Sequence, residues 1–289
     1  MSGRFGVIGV PWDWSNGNCH PGARFGPESV RGSLKALLGF IEEGKVYSID
    51  EGKILNADQK DFVDYGDVDV AIYDVQKTFD TITEKAENIL KRGDYLCAIG
   101  GDHSISFPLI RAIHNTCQED IAILQFDGHL DLLNENAKKG RYSHSSPFRR
   151  SLELPRVKKL VQVGVRSYNT PDFDEYLKRQ PITQFTSLQV HQEGAEAIAE
   201  KVYDELNGFN RVYVTICIDG FDPGFAPGCS MSEAFGLLPH HVLTIIKKVF
   251  PISCGFDICE VTPIADVHGM TAAIAARLIF DCFVVQQNK

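Results

Sequence analysis

Apolar residues along this chain fall into two kinds of run. Short, dense runs rich in Val, Ile and Phe occupy residues 5–10, 95–99, 121–126, 160–165, 212–218 and 254–259. Such runs, about four to eight residues long, predict strands buried on both faces, as in a parallel sheet. Between them lie longer amphipathic stretches. Val75, Phe79, Ile82, Ala86 and Ile89 step by four and three and so form one stripe on a helix, with Gly93 placed to stop it. Residues 29–38, 107–114, 195–206, 241–249 and 271–283 are further helix candidates. Strand and helix alternate over the whole length, which predicts an α/β fold with helices on both faces of a sheet. No internal repeat or low-complexity linker interrupts the pattern, so residues 1–289 read as one domain.

Composition narrows the function classes. An apolar fraction of 44% and a charged fraction of 23% are those of an ordinary globular chain. A net charge of −9 gives no electrostatic reason to bind nucleic acid or an anionic membrane, and mildly favours a cationic ligand. The apolar run at 5–10 is too short for a secretory leader and is broken by Pro11. The run at 272–285 contains Arg277 and Asp281, which predicts a buried helix and no membrane span. Eight cysteines (Cys19, Cys97, Cys117, Cys217, Cys229, Cys254, Cys259 and Cys282) form no CxxC pair, and several sit inside apolar strands. Reduced thiols in a cytoplasmic protein are expected, not a disulfide framework.

Polar residues follow directly on four of the predicted strands. Residues 95–99 run into Gly100, Gly101, Asp102, His103 and Ser104, and 121–126 into Asp127, Gly128, His129, Leu130 and Asp131. The run 212–218 carries Cys217 and leads into Asp219, Gly220, Phe221, Asp222 and Pro223, while 254–259 leads into Glu260. Open parallel sheets bind ligands beyond the carboxyl ends of their strands, so these endings are expected to converge. In an extended chain Asp127, His129 and Asp131 would project to one side. Two carboxylates and an imidazole aimed at one point would repel and desolvate one another without a cation. Mixed oxygen and nitrogen ligands suit Mn²⁺ or a similar divalent ion, with Zn²⁺ as an alternative. A solvated polar loop with helix caps is the other reading of the same residues. His103, placed after a buried strand and a Gly-Gly pair, joins the candidate ligands, as does Asp219 at a strand end. Asp222 reads as a turn former before Pro223.

At these residues the chain resembles the ureohydrolases: arginase, agmatinase, formiminoglutamase and their relatives. Residues 21–27, Pro-Gly-Ala-Arg-Phe-Gly-Pro, look like the agmatinase-type N-terminal signature. Residues 100–104 are similar to the family's Gly-Gly-Asp-His-Ser, and 127–131 to its Asp-Ala-His-x-Asp with Gly128 in place of alanine. Ser143-His144 with Pro147-Phe148 resembles the following histidine loop, residues 218–227 most of the aspartate-rich motif, and Glu260-Val261-Thr262-Pro263 the closing Glu-Val-Asn-Pro. The set occurs in the family's order over most of the chain.

The resemblance implies a three-layer α/β/α fold around a parallel sheet of about eight strands, two Mn²⁺ ions at its carboxyl edge, and a homo-oligomer, trimer or hexamer. It implies that His103, Asp127 and Asp131 hold one ion and that Asp127, His129 and Asp219 hold the other, with Asp127 bridging. It further implies metal-dependent hydrolysis of a linear guanidine or amidine C–N bond by water activated between the ions. The substrate would be agmatine or a related small guanidino compound, releasing urea and an amine. Asp131 would orient the nucleophile, Glu260 would pair with the planar guanidinium, and His144 would carry a proton toward the leaving amine.

One position departs from the family. Cys217 stands where the family has an aspartate that bridges both ions. A thiolate offers one soft sulfur where a carboxylate offers two oxygens, and sulfur suits Zn²⁺ better than Mn²⁺. Three outcomes are open: one tightly held metal with the second weak or absent, a different metal bridged by thiolate, or a family member without hydrolase activity. The substrate loop, residues 132–143, also departs from arginase, since Gly140 and Tyr142 replace its Ser and Asn donors. With residues 21–27 this favours an agmatinase-like or guanidino-acid hydrolase. Lys138, Lys139 and Arg141 either solvate the loop or meet a carboxylate, as formiminoglutamate or a guanidino acid would need. Deacetylase chemistry on the same broad fold finds no support, because His240 and His241 follow Pro239 and read as helix-entry residues.

Overall fold

A computed structural model describes residues 3–14, 21–136 and 138–289. Its strands are β1 (Phe5–Val10), β2 (Lys45–Ser48), β3 (Lys53–Asn56), β4 (Phe62–Asp67), β5 (Tyr95–Gly100), β6 (Ile121–Phe126), β7 (Val157–Val163), β8 (Ile182–Phe185), β9 (Arg211–Cys217) and β10 (Ser253–Cys259). Eight of them form one parallel sheet in the order β4-β1-β5-β10-β9-β6-β7-β8, and β2 and β3 form a separate antiparallel hairpin.

The helices are α1 (Gly26–Leu38), α2 (Val75–Lys91), α3 (Ser106–Thr116), α4 (Pro147–Leu152), α5 (Asp172–Lys178), α6 (Ser187–Glu193), α7 (Ala195–Leu206), α8 (Pro239–Val249) and α9 (Met270–Gln287). Side chains alternate across each strand, so the sheet feeds two cores. Phe5, Val7, Ile99, Leu124, Val214 and Phe256 pack under α1, α7, α8 and α9. Ile8, Ala98, Ile123, Leu160 and Tyr213 pack under α2, α3 and α4. The result is the expected three-layer α/β/α arrangement. Helix α9 is long and apolar enough to cross a membrane by length and composition, but 61% of it is buried inside the protein. It is the core helix that Arg277 and Asp281 point to.

Most predicted elements appear, with informative shifts. β7 starts at Val157, not at residue 160, because its ladder with β6 begins at the Ile121↔Val157 pair while Lys158 and Lys159 sit on the less buried positions. It stops at Val163 because Gly164 takes a φ of +100°. The run at 212–218 loses Ile218, which begins a 3₁₀ turn carrying Asp219. Helix α2 ends as predicted, before Gly93 at φ +78°. The periodicity gives no warning of β4, β8 or the β2–β3 hairpin, whose residues are mostly half-buried or exposed.

Strand order is what places the chemistry. The four strands with polar endings, β5, β10, β9 and β6, are consecutive neighbours at the centre of the sheet. Their carboxyl ends therefore open on one crevice.

Candidate metal centre

His103, Asp127, Asp219 and Glu260 each sit in a short loop or turn just beyond a strand end. Asp102 caps the turn at 103–105, accepting from the Ser104 N–H at 3.0 Å and from the Ser104 hydroxyl. A side chain on Gly101 would lie 1.9 Å from the Trp12 carbonyl oxygen, so only glycine lets this turn close against β1. Residues 21–27 support the same floor: a side chain on Gly26 would come within 2.8 Å of the carbonyls of Gly100 and Val261. After β6 the chain bends at Gly128 and His129, and Asp131 takes a φ of +51°. Asp127, His129 and Asp131 are thus brought together by a folded loop and not by the extended alternation expected from sequence. Glu260 adopts φ +65° after β10. Left-handed backbone in a non-glycine residue is disfavoured, and here it occurs at two residues of one site.

The candidate ligands converge. His103 Nδ1 lies 2.9 Å from Asp127 Oδ2 and 2.9 Å from Asp131 Oδ2. His129 Nδ1 lies 3.1 Å from Asp219 Oδ2 and 3.5 Å from Asp127 Oδ1. Asp127 therefore faces both imidazoles. The buried His103 Nδ1 is thus wedged between two carboxylate oxygens. Donors at right angles on an ion with bonds near 2.1 Å sit about 3 Å apart, so the donor set fits a divalent cation. His103, Asp127 and Asp131 place one ligand atom each within 4.8 Å of one another, as do Asp127, Cys217 and Asp219.

A second layer of groups, none of them singled out from sequence, aims these ligands. Gln125 Nε2 donates to Asp127 Oδ2 at 2.7 Å, and the His129 N–H donates to Asp127 Oδ1 at 2.7 Å. Gln125 Oε1 accepts from Gln162 Nε2 at 2.6 Å, and Gln162 Oε1 accepts from Gln184 Nε2 at 2.7 Å. These three glutamines occupy paired positions on β6, β7 and β8 and form a ladder that ends on Asp127. On the other side Thr215 donates to Asp257 Oδ1 at 2.9 Å, Tyr213 donates to Asp257 Oδ2 at 2.6 Å, and His103 Nε2 lies 3.0 Å from the Thr215 oxygen. The available signal was a charged residue, Asp257, inside an otherwise apolar strand.

Charge on this buried spot is strained. Burial raises the Asp131 carboxyl, and with the charge of Asp127 brings it up to about 7. Burial and Asp127 also raise Asp219. Burial opposes charge on His129, but Asp219 and Asp127 outweigh it and lift the imidazole up to about 12. Asp127 goes the other way: burial is overcome by His103 and His129, which hold it well below the carboxylate range. Opposed shifts in one cluster mark excess negative charge that a cation relieves. Burial, then Cys259, Asp127 and Asp219, push the Cys217 thiol well above its ordinary range.

A cavity of about 230 Å³ opens onto these groups. His103, Asp131, His144, Cys217, Asp219 and Glu260 line it, with the exposed Tyr168, Asn169 and Met231 and the half-buried Phe173 and Glu233 around its rim. Glu260 Oε1 accepts from the His103 N–H at 2.8 Å, and the other oxygen accepts from the Ser230 hydroxyl. Burial and Asp102 bring its carboxyl up to about 7. Among the described residues lining the cavity there is no Lys or Arg. Lys139 donates to the Trp14 carbonyl at 3.1 Å and lies over its ring, and Arg141 pairs with Glu153. The loop cations Lys139 and Arg141 are thus engaged within the protein and lie outside the cavity lining. Arg166 donates to the carbonyls of Asp219, Gly220, Glu233 and Ala234, a clamp on the loops around the site. Asp222 is the turn former expected, accepting from Gly224 and Gly236 N–H groups at 3.0 Å each. His240 and His241 lie in the first turn of α8. The seven described cysteines are free, and Cys19 lies outside the described residues.

Comparison with known proteins agrees with this geometry. The family model described as Arginase family matches residues 3–284. The proclavaminate amidinohydrolase of Streptomyces clavuligerus is 31% identical over 94% of this chain and 84% of its own. The agmatinase of Bacillus subtilis is 31% identical over 94% of this chain and 88% of its own. The crystal structure of a hypothetical agmatinase from Burkholderia thailandensis superposes with a TM-score of 0.85 at 29% identity, covering 99% of this chain and 86% of that one.

Proposed function

Because the chain belongs to the arginase family, we propose that it is a metal-dependent hydrolase that cuts the C–N bond of a linear guanidino compound and releases urea and an amine. The observation that carries the reading is the buried convergence of two imidazoles on shared carboxylates: His103 Nδ1 lies 2.9 Å from Asp127 and from Asp131, and His129 Nδ1 lies 3.1 Å from Asp219 and 3.5 Å from Asp127. His103, Asp127 and Asp131 would hold one divalent ion. Asp127, His129 and Asp219, with Cys217 beside them, would hold another; Mn²⁺ is the ion the family resemblance favours. Bound there, such ions would supply a water activated near neutral pH and positive charge to offset the negative charge that develops.

The protein's own groups do the rest. Glu260, fixed by the His103 N–H and Ser230, receives the planar N–H edge of the guanidinium and sets its carbon over the pocket floor. Asp131 orients the nucleophile and accepts its proton, a task suited to a carboxyl brought up to about 7. His144, on the pocket wall, hands a proton to the departing amine. Carboxylates without Lys or Arg along the wall favour a substrate whose tail is cationic or neutral, so an agmatine-like compound fits better than a guanidino acid or formiminoglutamate. The proposal includes a homo-oligomer. The exposed Phe40, Tyr47, Ile49 and Ile54 at and beside the β2–β3 hairpin supply apolar surface for association, and light scattering would test it.

A panel of guanidino compounds assayed for urea with Mn²⁺ tests the activity. Turnover is expected for amine-tailed members first. Urea from no member of the panel would overturn the reading.

A further inference from the structure

Cys259 has no role in the chemistry above, yet it stands against the centre. Strands β9 and β10 are neighbours, and their register makes Cys217 and Cys259 direct partners. Both side chains face the same side of the sheet, toward α3, where His103 also lies. One ligand atom each from His103, Cys217 and Cys259 lies within 4.8 Å of the others, and all three residues are buried. Cys217 is at the same time within that reach of Asp127 and Asp219, and it lines the open cavity while Cys259 is fully enclosed behind it.

Two sulfurs and an imidazole at a pocket floor are a different donor set from the oxygen-rich one beside them. Thiolate ligands select thiophilic ions such as Zn²⁺, whereas carboxylates suit Mn²⁺. Three protein ligands of the Cys₂His type, with the next coordination position facing a cavity, are a known arrangement for zinc that works on substrates. The alternative, two cysteines acting only as small core filler, does not explain why both sulfurs meet a buried imidazole at the floor of the cavity.

We infer that His103, Cys217 and Cys259 form a Cys₂His site for one thiophilic divalent cation of the Zn²⁺ class. The centre is then chemically lopsided. Its soft end holds the thiophilic ion through the two strand-end sulfurs, and its hard end, Asp127, His129 and Asp219, keeps an ion of the Mn²⁺ class. The inference rests on the reading of this cluster as a metal centre and not on the hydrolytic chemistry.

The test loads the full-length protein, stripped with chelator and kept reduced, with Co²⁺, and follows near-ultraviolet thiolate-to-cobalt charge-transfer absorption. The expected result is an intense band that one equivalent of Zn²⁺ abolishes and excess Mn²⁺ does not. In Cys259→Val the band should fade, and Zn²⁺ affinity should fall by at least the roughly 10–100-fold that disturbing even the shell behind a ligand costs. Mn²⁺ binding, read by electron paramagnetic resonance, should persist in that variant. Cys217→Ala is the companion variant, and the wild-type band decides the question if either variant fails to fold. Co²⁺ or Mn²⁺ binding with no sulfur band would overturn the thiolate site and leave the metal centre standing. A protein that binds neither ion would sink both. A Cys217–Cys259 disulfide in peptides from freshly purified protein would also overturn the inference.

Discussion

The single hydroxyl proton of Thr215 goes to Asp257, so its oxygen can only accept from His103 Nε2. That places a proton on Nε2 and turns Nδ1 toward Asp127 and Asp131, so that an ion bound there would meet the Nδ1 lone pair. A metal-ligating histidine whose second nitrogen is held in this way is pre-oriented and more basic. Thr215→Val keeps the shape and removes the acceptor. Zn²⁺ affinity, measured by calorimetric titration, should fall by about 10–100-fold while the far-ultraviolet circular dichroism stays unchanged. Unaltered affinity would show that Thr215 plays no part in aiming His103. At this scale the residues that converge were legible from sequence and their supports were not. His103, Asp127, His129, Asp131, Asp219 and Glu260 interrupt apolar runs at strand ends, where a polar residue needs a reason. Thr215, Gln125 and Cys259 sit inside those runs, where alternation alone assigns them to core, and only the pairing of strands reveals what they touch. Gly128 shows the same limit. A side chain there would meet Arg166 Nη1 at 3.0 Å and the Asp219 carbonyl at 3.1 Å, contacts from segments far away in sequence.

Among the elements, β6, β7 and β8 are tied to the site through amides. Gln162 is the central rung, donating to Gln125 Oε1 and to the Leu130 carbonyl while accepting from Gln184. Gln162→Leu would leave buried partners of the first two bonds unsatisfied, at a cost of about 1–3 kcal/mol each where no water reaches. Urea unfolding should show a loss of at least about 1 kcal/mol, together with weaker Mn²⁺ binding as Gln125 loses its anchor. Full stability in this variant would remove the ladder from the account. Helix α8 carries a pH dependence of its own. Burial, then the neighbouring His240 and His191, lower the His241 imidazole to about 4, with Glu196 pulling weakly the other way. Its Nδ1 accepts from the Leu238 N–H at 3.3 Å, which suits the neutral ring. The unfolded chain binds a proton here near pH 6.5, so between about 6.5 and about 4 the unfolded state holds more protons and stability falls as pH falls. His241→Gln should therefore lose less stability than the natural chain between neutral and mildly acidic buffers, by urea unfolding. Equal losses would mean that His241 titrates normally. Edge strands were the elements hidden from pattern reading. β4 and β8 have one paired side each and are mostly half-buried or exposed, so neither carries the dense apolar run of the central strands.

The eight-stranded order brings the two ends of the chain together at the centre of one sheet. β1, from the first residues, borders β5, and β5 borders β10 from the final segment; β10 in turn borders β9. Helix α9 packs on α1. Cutting the chain anywhere between β5 and β9 separates strands that lie beside one another at the centre, and with them His103 from Asp219. The candidate metal centre draws on the ends of all four central strands, so those strands must pair before its residues meet. We propose on this ground that the chain is one domain that unfolds in a single step. Trp12 and Trp14 report on the edge of the site, where the Trp12 carbonyl accepts from the Asp102 N–H at 2.7 Å. Circular dichroism reports on the helices of both layers. The two signals should trace the same urea transition, the test of two-state behaviour. Free Mn²⁺ at a hundredfold excess over its dissociation constant should move both midpoints together, by about 2.7 kcal/mol of added stability for one site. If fluorescence shifted with metal while circular dichroism did not, the strand ends would be folding as an annex to an independent sheet, and the link between fold and centre drawn from strand order would fail.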